Sequence, residues 1–207
     1  MLKIGKLVLS VCATNCYFVY EEGGNEVVFF DPGDHGEVIY QKLKDAGFSV
    51  AAIYLTHGHF DHIAGADCLR KLSGARIYAL DAEAEVCQSA SANLSDAFGR
   101  ALTLKPDGYL HDGDVCSAAG ISFRVIATPG HTKGSCVYYF EEAKMLIGGD
   151  TLFLESVGRT DFPGGSMSEL VRSVKEKLFV LPEAVKVYTG HGEPTSIGHE
   201  KANNPFF

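Results

Sequence analysis

No window of the sequence approaches the run of about 18 apolar residues that a membrane span needs. The N-terminus, Met1-Leu2-Lys3-Ile4-Gly5-Lys6, intersperses charge among its apolar residues and lacks a small-residue cleavage site, so no signal peptide is expected. No CxxC pair occurs among the six cysteines (Cys12, Cys16, Cys68, Cys87, Cys116 and Cys136), which read as reduced thiols rather than a disulfide framework. Positive charge is scarce: 18 Lys and Arg stand against 26 Asp and Glu, a net charge of −8. A basic footprint that could neutralise nucleic-acid phosphates is therefore missing. These absences argue against a membrane partner, a nucleic-acid partner and a stapled secreted scaffold, and they make the cytoplasm the expected location.

What is present is ordinary for a soluble globular enzyme. Of 207 residues, 46% are hydrophobic and 21% charged, enough for one sizeable core. Short β-rich runs open the chain at Leu7–Val11, Cys16–Tyr20 and Glu26–Phe30, with Glu21-Glu22-Gly23-Gly24-Asn25 as a hairpin turn. Helical spacing follows over Gly36–Ala46, then a strand over Ala51–Thr56, a polar loop and a helix over Ala64–Leu72. The Ala- and Glu-rich stretch Asp81–Arg100 is predicted to be helical. Strands are predicted at Asp112–Ser117, Ser122–Thr128, Ser135–Phe140, Lys144–Gly148 and Val185–Thr189. A capping box, Ser166-Met167-Ser168-Glu169, opens a helix through about Phe179. Strand-rich and helical stretches alternate twice without a linker, which suggests two sheets packed face to face with helices outside, in one domain.

The densest chemical signal is Thr56-His57-Gly58-His59-Phe60-Asp61-His62, directly after a predicted strand. Three imidazoles and a carboxylate on one loop can turn several ligands toward one point, and that donor mix suits zinc, iron and related ions. Three further predicted strands each end in one donor beside glycine: Pro129-Gly130-His131-Thr132, Gly148-Gly149-Asp150 and Gly190-His191-Gly192. Singly each is weak, and Asp150 could be a plain turn residue. Together they use five of the eight histidines in one repeated pattern; His35, His111 and His199 lack that setting.

The set HxHxDH, PGHTxG, GGDTLF and GHG resembles the metallo-β-lactamase superfamily, with Asp31-Pro32-Gly33 matching its early acidic motif. Gly158-Arg159-Thr160-Asp161-Phe162-Pro163-Gly164 resembles a loop of the glyoxalase II-like branch. The resemblance implies an α/β fold, the four-layer αββα sandwich, over residues 1–207, with metals at one edge of the two sheets. It would place His57, His59 and His131 on a first ion and Asp61, His62 and His191 on a second, with Asp150 bridging. Asp31 would orient ligands or water from behind them, the alternative being a turn aspartate before proline. Two divalent ions are implied, zinc first, with iron or manganese as alternatives.

Single residues narrow the branch. The common β-lactamases of the superfamily are secreted and carry a cysteine where Asp150 stands, flavo-diiron proteins carry a glutamate where His59 stands, and its nucleases bring an additional domain or arm. What remains resembles glyoxalase II thioesterases and their short bacterial relatives. The rival within the resemblance is a persulfide dioxygenase binding one iron through His57, His131 and Asp150; a rival of another class is a non-catalytic metal module. Full-length glyoxalase II enzymes continue past the last histidine into a helical domain that helps bind glutathione. Here the tail Gly198–Phe207 is too short to replace it, so weak affinity for a glutathione moiety is expected.

The expected chemistry is hydrolysis of a small acyl thioester, such as S-lactoylglutathione, by a hydroxide bridging the two ions, with Asp61, Asp150 and Asp31 as the catalytic carboxylates. Lys133, following His131-Thr132, could meet a substrate carboxylate or be a solvated surface lysine. Arg159 could contact substrate or hold its loop by pairing with Asp161.

Overall fold

The computed structural model describes residues 1–207. In chain order the first half runs β1 (Leu2–Leu9), β2 (Thr14–Glu21), β3 (Glu26–Phe30), α1 (Gly36–Asp45), β4 (Ser49–Tyr54), α2 (Phe60–Ile63), α3 (Ala66–Ser73), β5 (Arg76–Leu80), α4 (Ala84–Gln88) and β6 (Gly108–Leu110). The second half runs β7 (Val115–Ala118), β8 (Ile121–Ala127), β9 (Cys136–Phe140), β10 (Met145–Gly149), the small hairpin β11 (Leu152–Phe153) and β12 (Ser156–Val157), α5 (Met167–Ser173), β13 (Lys186–Thr189), β14 (Thr195–Ser196) and α6 (Ile197–Asn203). Each half builds one six-stranded sheet, ordered β1-β2-β3-β4-β5-β6 and β14-β13-β10-β9-β8-β7.

Three apolar layers hold the four structural layers together. Tyr17, Val28, Phe30 and Tyr54 of the first sheet interdigitate with Phe123, Val125, Tyr138 and Ile147 of the second, and Tyr54 and Phe123 meet edge to face at 4.9 Å. Behind the first sheet, Phe29, Ile53 and Ile77 pack against Ile39, Leu43 and Leu69 of α1 and α3. Behind the second, Leu146 and Val187 pack against Leu170 of α5 and Ile197 of α6. Strands β9 and β10, covered on both faces, are buried along their whole length, as strands between two layers must be. This is the αββα sandwich that the resemblance implies.

Two runs of parallel pairing position the functional edge. Strands β3, β4, β5 and β6 are mutually parallel, and so are β10 and β13, so their C-terminal ends emerge together. Asp31 follows β3, the His57–His62 loop follows β4, Asp150 follows β10 and His191 lies just past β13. No helix is long and apolar enough to cross a membrane.

The expected helix over Asp81–Arg100 does not form. A 3-10 turn at Asp81–Glu83 leads into α4, which stops at Gln88. Beyond it the polar side chains bond the backbone in turns instead: Asn93 Nδ2 donates to the Leu102 carbonyl at 2.9 Å, its Oδ1 accepts the Ser95 amide at 3.0 Å, and the Ser95 hydroxyl accepts the Leu102 amide at 3.0 Å. Ser, Asn and Asp compete in this way with helical bonding, and composition alone hides it. Only half of the capping box forms: Ser166 Oγ accepts the Glu169 amide at 3.3 Å, but the Ser166 amide donates to the Gly130 carbonyl at 2.8 Å instead of to Glu169, and α5 gives way to a wider π turn at Val174–Leu178. Strands β6, β11, β12 and β14 and helix α2, two to four residues each, are too brief to carry a period and escaped sequence reading, as did β5 and α6. All six cysteines are free thiols.

Candidate metal centre

Seven side chains converge where the strand ends meet. Donor atoms of His57, His59 and His131 lie within 4.8 Å of one another, as do those of Asp61, His62 and His191, and those of His57, His62 and Asp150. The first trio is an all-imidazole triad and the second a mixed triad. Asp150 faces both: its Oδ2 is 3.7 Å from His131 Nε2 and 3.4 Å from His191 Nε2, and its Oδ1 is 3.4 Å from His62 Nε2. Gly190 makes this approach feasible, since a Cβ there would collide with Asp150 Oδ1.

Hydrogen bonds behind the rings decide which nitrogens face inward. A carbonyl oxygen only accepts, so His131 Nδ1 donates to the Arg159 carbonyl at 2.7 Å and His191 Nδ1 donates to the Cys12 carbonyl at 3.1 Å. His62 Nδ1 donates to Asp31 Oδ2 at 3.0 Å. The Thr56 hydroxyl donates to Asp31 Oδ2 at 2.6 Å, which leaves Thr56 Oγ1 to accept from His57 Nδ1 at 3.1 Å. Four imidazoles thus carry their donor hydrogen outward on Nδ1. Neutral, each points an Nε2 lone pair into the shared space.

Asp31 and Thr14 support this arrangement from behind. Asp31 also accepts the Thr56 amide at 2.7 Å and sits at φ 50°, a left-handed conformation that costs a non-glycine residue free energy and clusters at functional sites. Thr14 Oγ1 donates to Asp61 Oδ2 at 3.0 Å and fixes the carboxylate of the mixed triad. Neither Thr14 nor Thr56 was singled out in the sequence; a threonine before a histidine loop carries no signal of its own.

The electrostatics differ across the centre. Burial, with the neighbouring His62, His131 and His59 adding to it, holds His57 well below the ordinary histidine range; burial and His131 bring His59 down to about 3. Burial opposes charge on His62 as well, yet Asp150, Asp61 and Asp31 outweigh it and raise the ring well above its ordinary value. His191 is pushed up to about 9, its burial overcome by hydrogen bonds to Asp150 and Asp61. Asp61 and Asp150 are held below the usual carboxylate range, burial being offset chiefly by His62.

A divalent cation fits this donor set. His57 Nε2, His59 Nε2 and Asp150 Oδ1 are buried polar atoms without a hydrogen-bond partner, which a closed protein interior rarely tolerates. Imidazole nitrogens mixed with carboxylate oxygens are the chemistry of zinc and iron sites, and no cysteine joins the donor groups.

The two expected substrate contacts lie at the rim and differ from each other. Arg159 is bound to Asp161 through two hydrogen bonds of 2.8 and 2.7 Å, and its guanidinium lies 3.8 Å from the centre of the Phe162 ring. That ring is in turn 5.7 Å from the His59 ring. Lys133 is exposed, and its aliphatic stem runs beside Gly164.

The model of the metallo-beta-lactamase superfamily matches residues 9–191. Among curated relatives, the probable metallo-hydrolase YqgX of Bacillus subtilis is 36% identical over 99% of this chain and 97% of its own length. The hydroxyacylglutathione hydrolase GloC of Haemophilus influenzae is 31% identical over 93% of this chain and 92% of its own. Among solved structures, the BLEG-1 B3 metallo-beta-lactamase superposes with a TM-score of 0.94 at 36% identity, covering 99% of both chains. TTHA1623, solved in a di-iron-bound form, gives 0.86 at 32% identity, covering 98% of this chain and 100% of that one. ETHE1 from Myxococcus xanthus gives 0.78 at 28% identity, covering 98% of this chain and 83% of that one.

Proposed function

The chain belongs to the metallo-beta-lactamase superfamily, and from that membership we propose that it is a binuclear metal-dependent hydrolase that cleaves a small acyl thioester. The observation that carries the reading is the inward convergence of four tautomer-fixed imidazoles around Asp150, at a centre that stays open to solvent on one side. His191 retains 28% of its side-chain exposure, whereas His62 and His131 retain 0% and 3%. Structural metal sites close on all sides; catalytic ones leave a face for water and substrate.

His57, His59 and His131 would hold one cation, Asp61, His62 and His191 the other, and Asp150 would touch both; zinc is the first candidate, iron the second. Such cations would supply Lewis acidity and lower the pKa of a water from about 15.7 toward 7. The chain's own groups then have two tasks. Asp31, Thr14, the Arg159 carbonyl and the Cys12 carbonyl keep the ligand rings and Asp61 in place, so no reorganisation is needed during reaction. Lys133, free of any ion pair at the rim, meets a substrate carboxylate, while Arg159 stays engaged with Asp161.

The leaving group selects thioester over amide. Asp61 and Asp150 are both held ionised, and His62 and His191 release their protons when they take a cation, so no strong acid remains beside the leaving atom. A thiolate from a thiol of pKa about 8.5 departs without one, whereas an amine does not. The likeness to hydroxyacylglutathione hydrolase GloC supports the same substrate class. A second reading, a persulfide dioxygenase using one iron, is compatible with the likeness to ETHE1.

A paired assay separates these readings. Zinc- and iron-loaded protein should hydrolyse S-lactoylglutathione, with a high KM, and consume no oxygen with glutathione persulfide. Oxygen uptake without thioester cleavage would replace the proposal by the second reading. A cephalosporin arm is needed because of the likeness to BLEG-1, and turnover there faster than on any thioester would overturn the substrate class.

A further inference from the structure

Glu83 sits in the 3-10 turn ahead of α4, outside every motif, and its side chain is enclosed, with the residue only 1% exposed. Its carboxylate gathers three donors from two separate loops. Oε1 accepts the Gly58 amide at 2.7 Å, while Oε2 accepts the Thr132 hydroxyl and the Gly134 amide, each at 2.9 Å. Gly58 is the residue between His57 and His59, and Thr132 directly follows His131. One side chain therefore ties together the two loops that carry the whole imidazole triad.

The fit is close. A Cβ at Gly134 would collide with the Glu83 amide nitrogen, and one at Gly58 would lie 2.9 Å from the Cys87 amide nitrogen and sulfur. No lysine, arginine or histidine pairs with Glu83, so its charge is balanced only by these three donors. Burial pushes its carboxyl up to about 7 against the pull of the Gly58, Thr132 and Gly134 donors. A glutamine would be easier to bury, but its NH2 would face either the Gly58 or the Gly134 N–H and leave that donor without an acceptor.

We propose that Glu83 is a positioning residue of the metal centre: its carboxylate sets the spacing of the two histidine loops so that His57, His59 and His131 present their donors to one cation. The triad contains no carboxylate of its own, and Glu83 places one a single residue away from each of its three histidines. The proposal rests on reading the cluster as a metal centre, and on no choice of substrate.

Glu200 provides the matched control. It too is a fully buried glutamate, accepting the Glu155 amide at 3.0 Å, the Asn204 side-chain amide at 2.7 Å and the Thr195 hydroxyl, but it staples α6 to its neighbours and contacts no donor of the metal centre. Chelator-treated wild type, Glu83→Gln, Glu83→Asp and Glu200→Gln would be titrated with cobalt(II), following the visible spectrum and competition with a chromophoric chelator, alongside the thermal midpoint of the metal-free protein. Glu83→Gln should weaken one of the two cobalt sites by about 10- to 100-fold and alter its spectrum, as loss of an outer partner does. Glu83→Asp should recover part of that loss, because the charge remains. Glu200→Gln should lower the midpoint and leave both affinities and the spectrum as in wild type.

If Glu83→Gln lowers the midpoint but binds cobalt like wild type, Glu83 is only a structural staple and the proposal is overturned. Should Glu83→Gln not fold, Thr132→Val, which removes one of the three bonds, must weaken the same site to a smaller degree; unchanged affinity there overturns it equally. Wild type that binds no cobalt would remove the metal-centre reading itself, an outcome distinct from wild-type binding that Glu83→Gln leaves intact.

Discussion

The two halves of the centre, a few ångströms apart, reach their ligand state by opposite routes. His57, His59 and His131 are almost fully buried, and that burial, with the neighbouring rings adding to it, keeps His57 and His59 neutral. The mixed triad is more open and sits among Asp31, Asp61 and Asp150, whose negative charge draws protons onto His62 and His191. A cation entering the imidazole triad meets neutral rings at His57 and His59, and has only to part the 2.9 Å hydrogen bond between His59 Nδ1 and His131 Nε2. One entering the mixed triad must displace protons but is repaid by carboxylates. Placing the same residue type in a desolvated cluster of its own kind, or beside aspartates, is enough to produce both behaviours.

The largest test of this contrast removes what the halves share. Asp150→Asn should deplete metal from both triads, read by elemental analysis, and depress thioester turnover by more than the roughly 100-fold that an outer partner costs. Replacing His191 should deplete mainly one equivalent. Two full equivalents in Asp150→Asn would break the idea that Asp150 couples the halves.

Next comes pH. His191, pushed up to about 9, and His62, raised well above its ordinary value, each carry a proton near neutrality that the cation must displace, so affinity at the mixed triad should rise with pH by up to about a hundredfold per unit, the His191 share levelling off above about 9. His57 and His59, the latter brought down to about 3, have no proton to lose near neutrality, so the imidazole triad should bind with a shallower pH dependence there than the mixed triad. Calorimetric metal titrations of chelator-treated protein between about pH 6 and about pH 9 check this, and equal slopes for the two sites would erase the distinction.

A smaller effect sharpens it. Thr14→Val keeps the shape but removes the hydroxyl that holds Asp61, which should weaken only the mixed triad, by about tenfold. A matching loss at the imidazole triad would mean that the halves are mechanically one. Smallest are the rim changes. Lys133→Ala should raise KM for an anionic thioester several-fold with kcat nearly unchanged, while Arg159→Ala, whose exposed pair with Asp161 holds a loop, should change KM little. Steady-state kinetics on both variants decides, and the reverse order would move the substrate anion to Arg159.

The sequence by itself determined which residues gather and which layers they stand on. His57, His59, Asp61 and His62 share one short loop, and His131, Asp150 and His191 each follow a strand whose apolar run is readable locally, so strand ends and donors could be paired without coordinates. Only the tertiary structure decided which nitrogen of each ring faces inward. The acceptors that settle it stand far off in the chain: the Cys12 carbonyl for His191, the Arg159 carbonyl for His131, and Asp31 for His62. Glu83, reaching Gly58 and Thr132 across 25 and 49 residues, was hidden for the same reason, inside a stretch whose composition resembled a helix. A donor's identity is written in one residue, but its orientation is a hydrogen bond to a partner that only folding brings near.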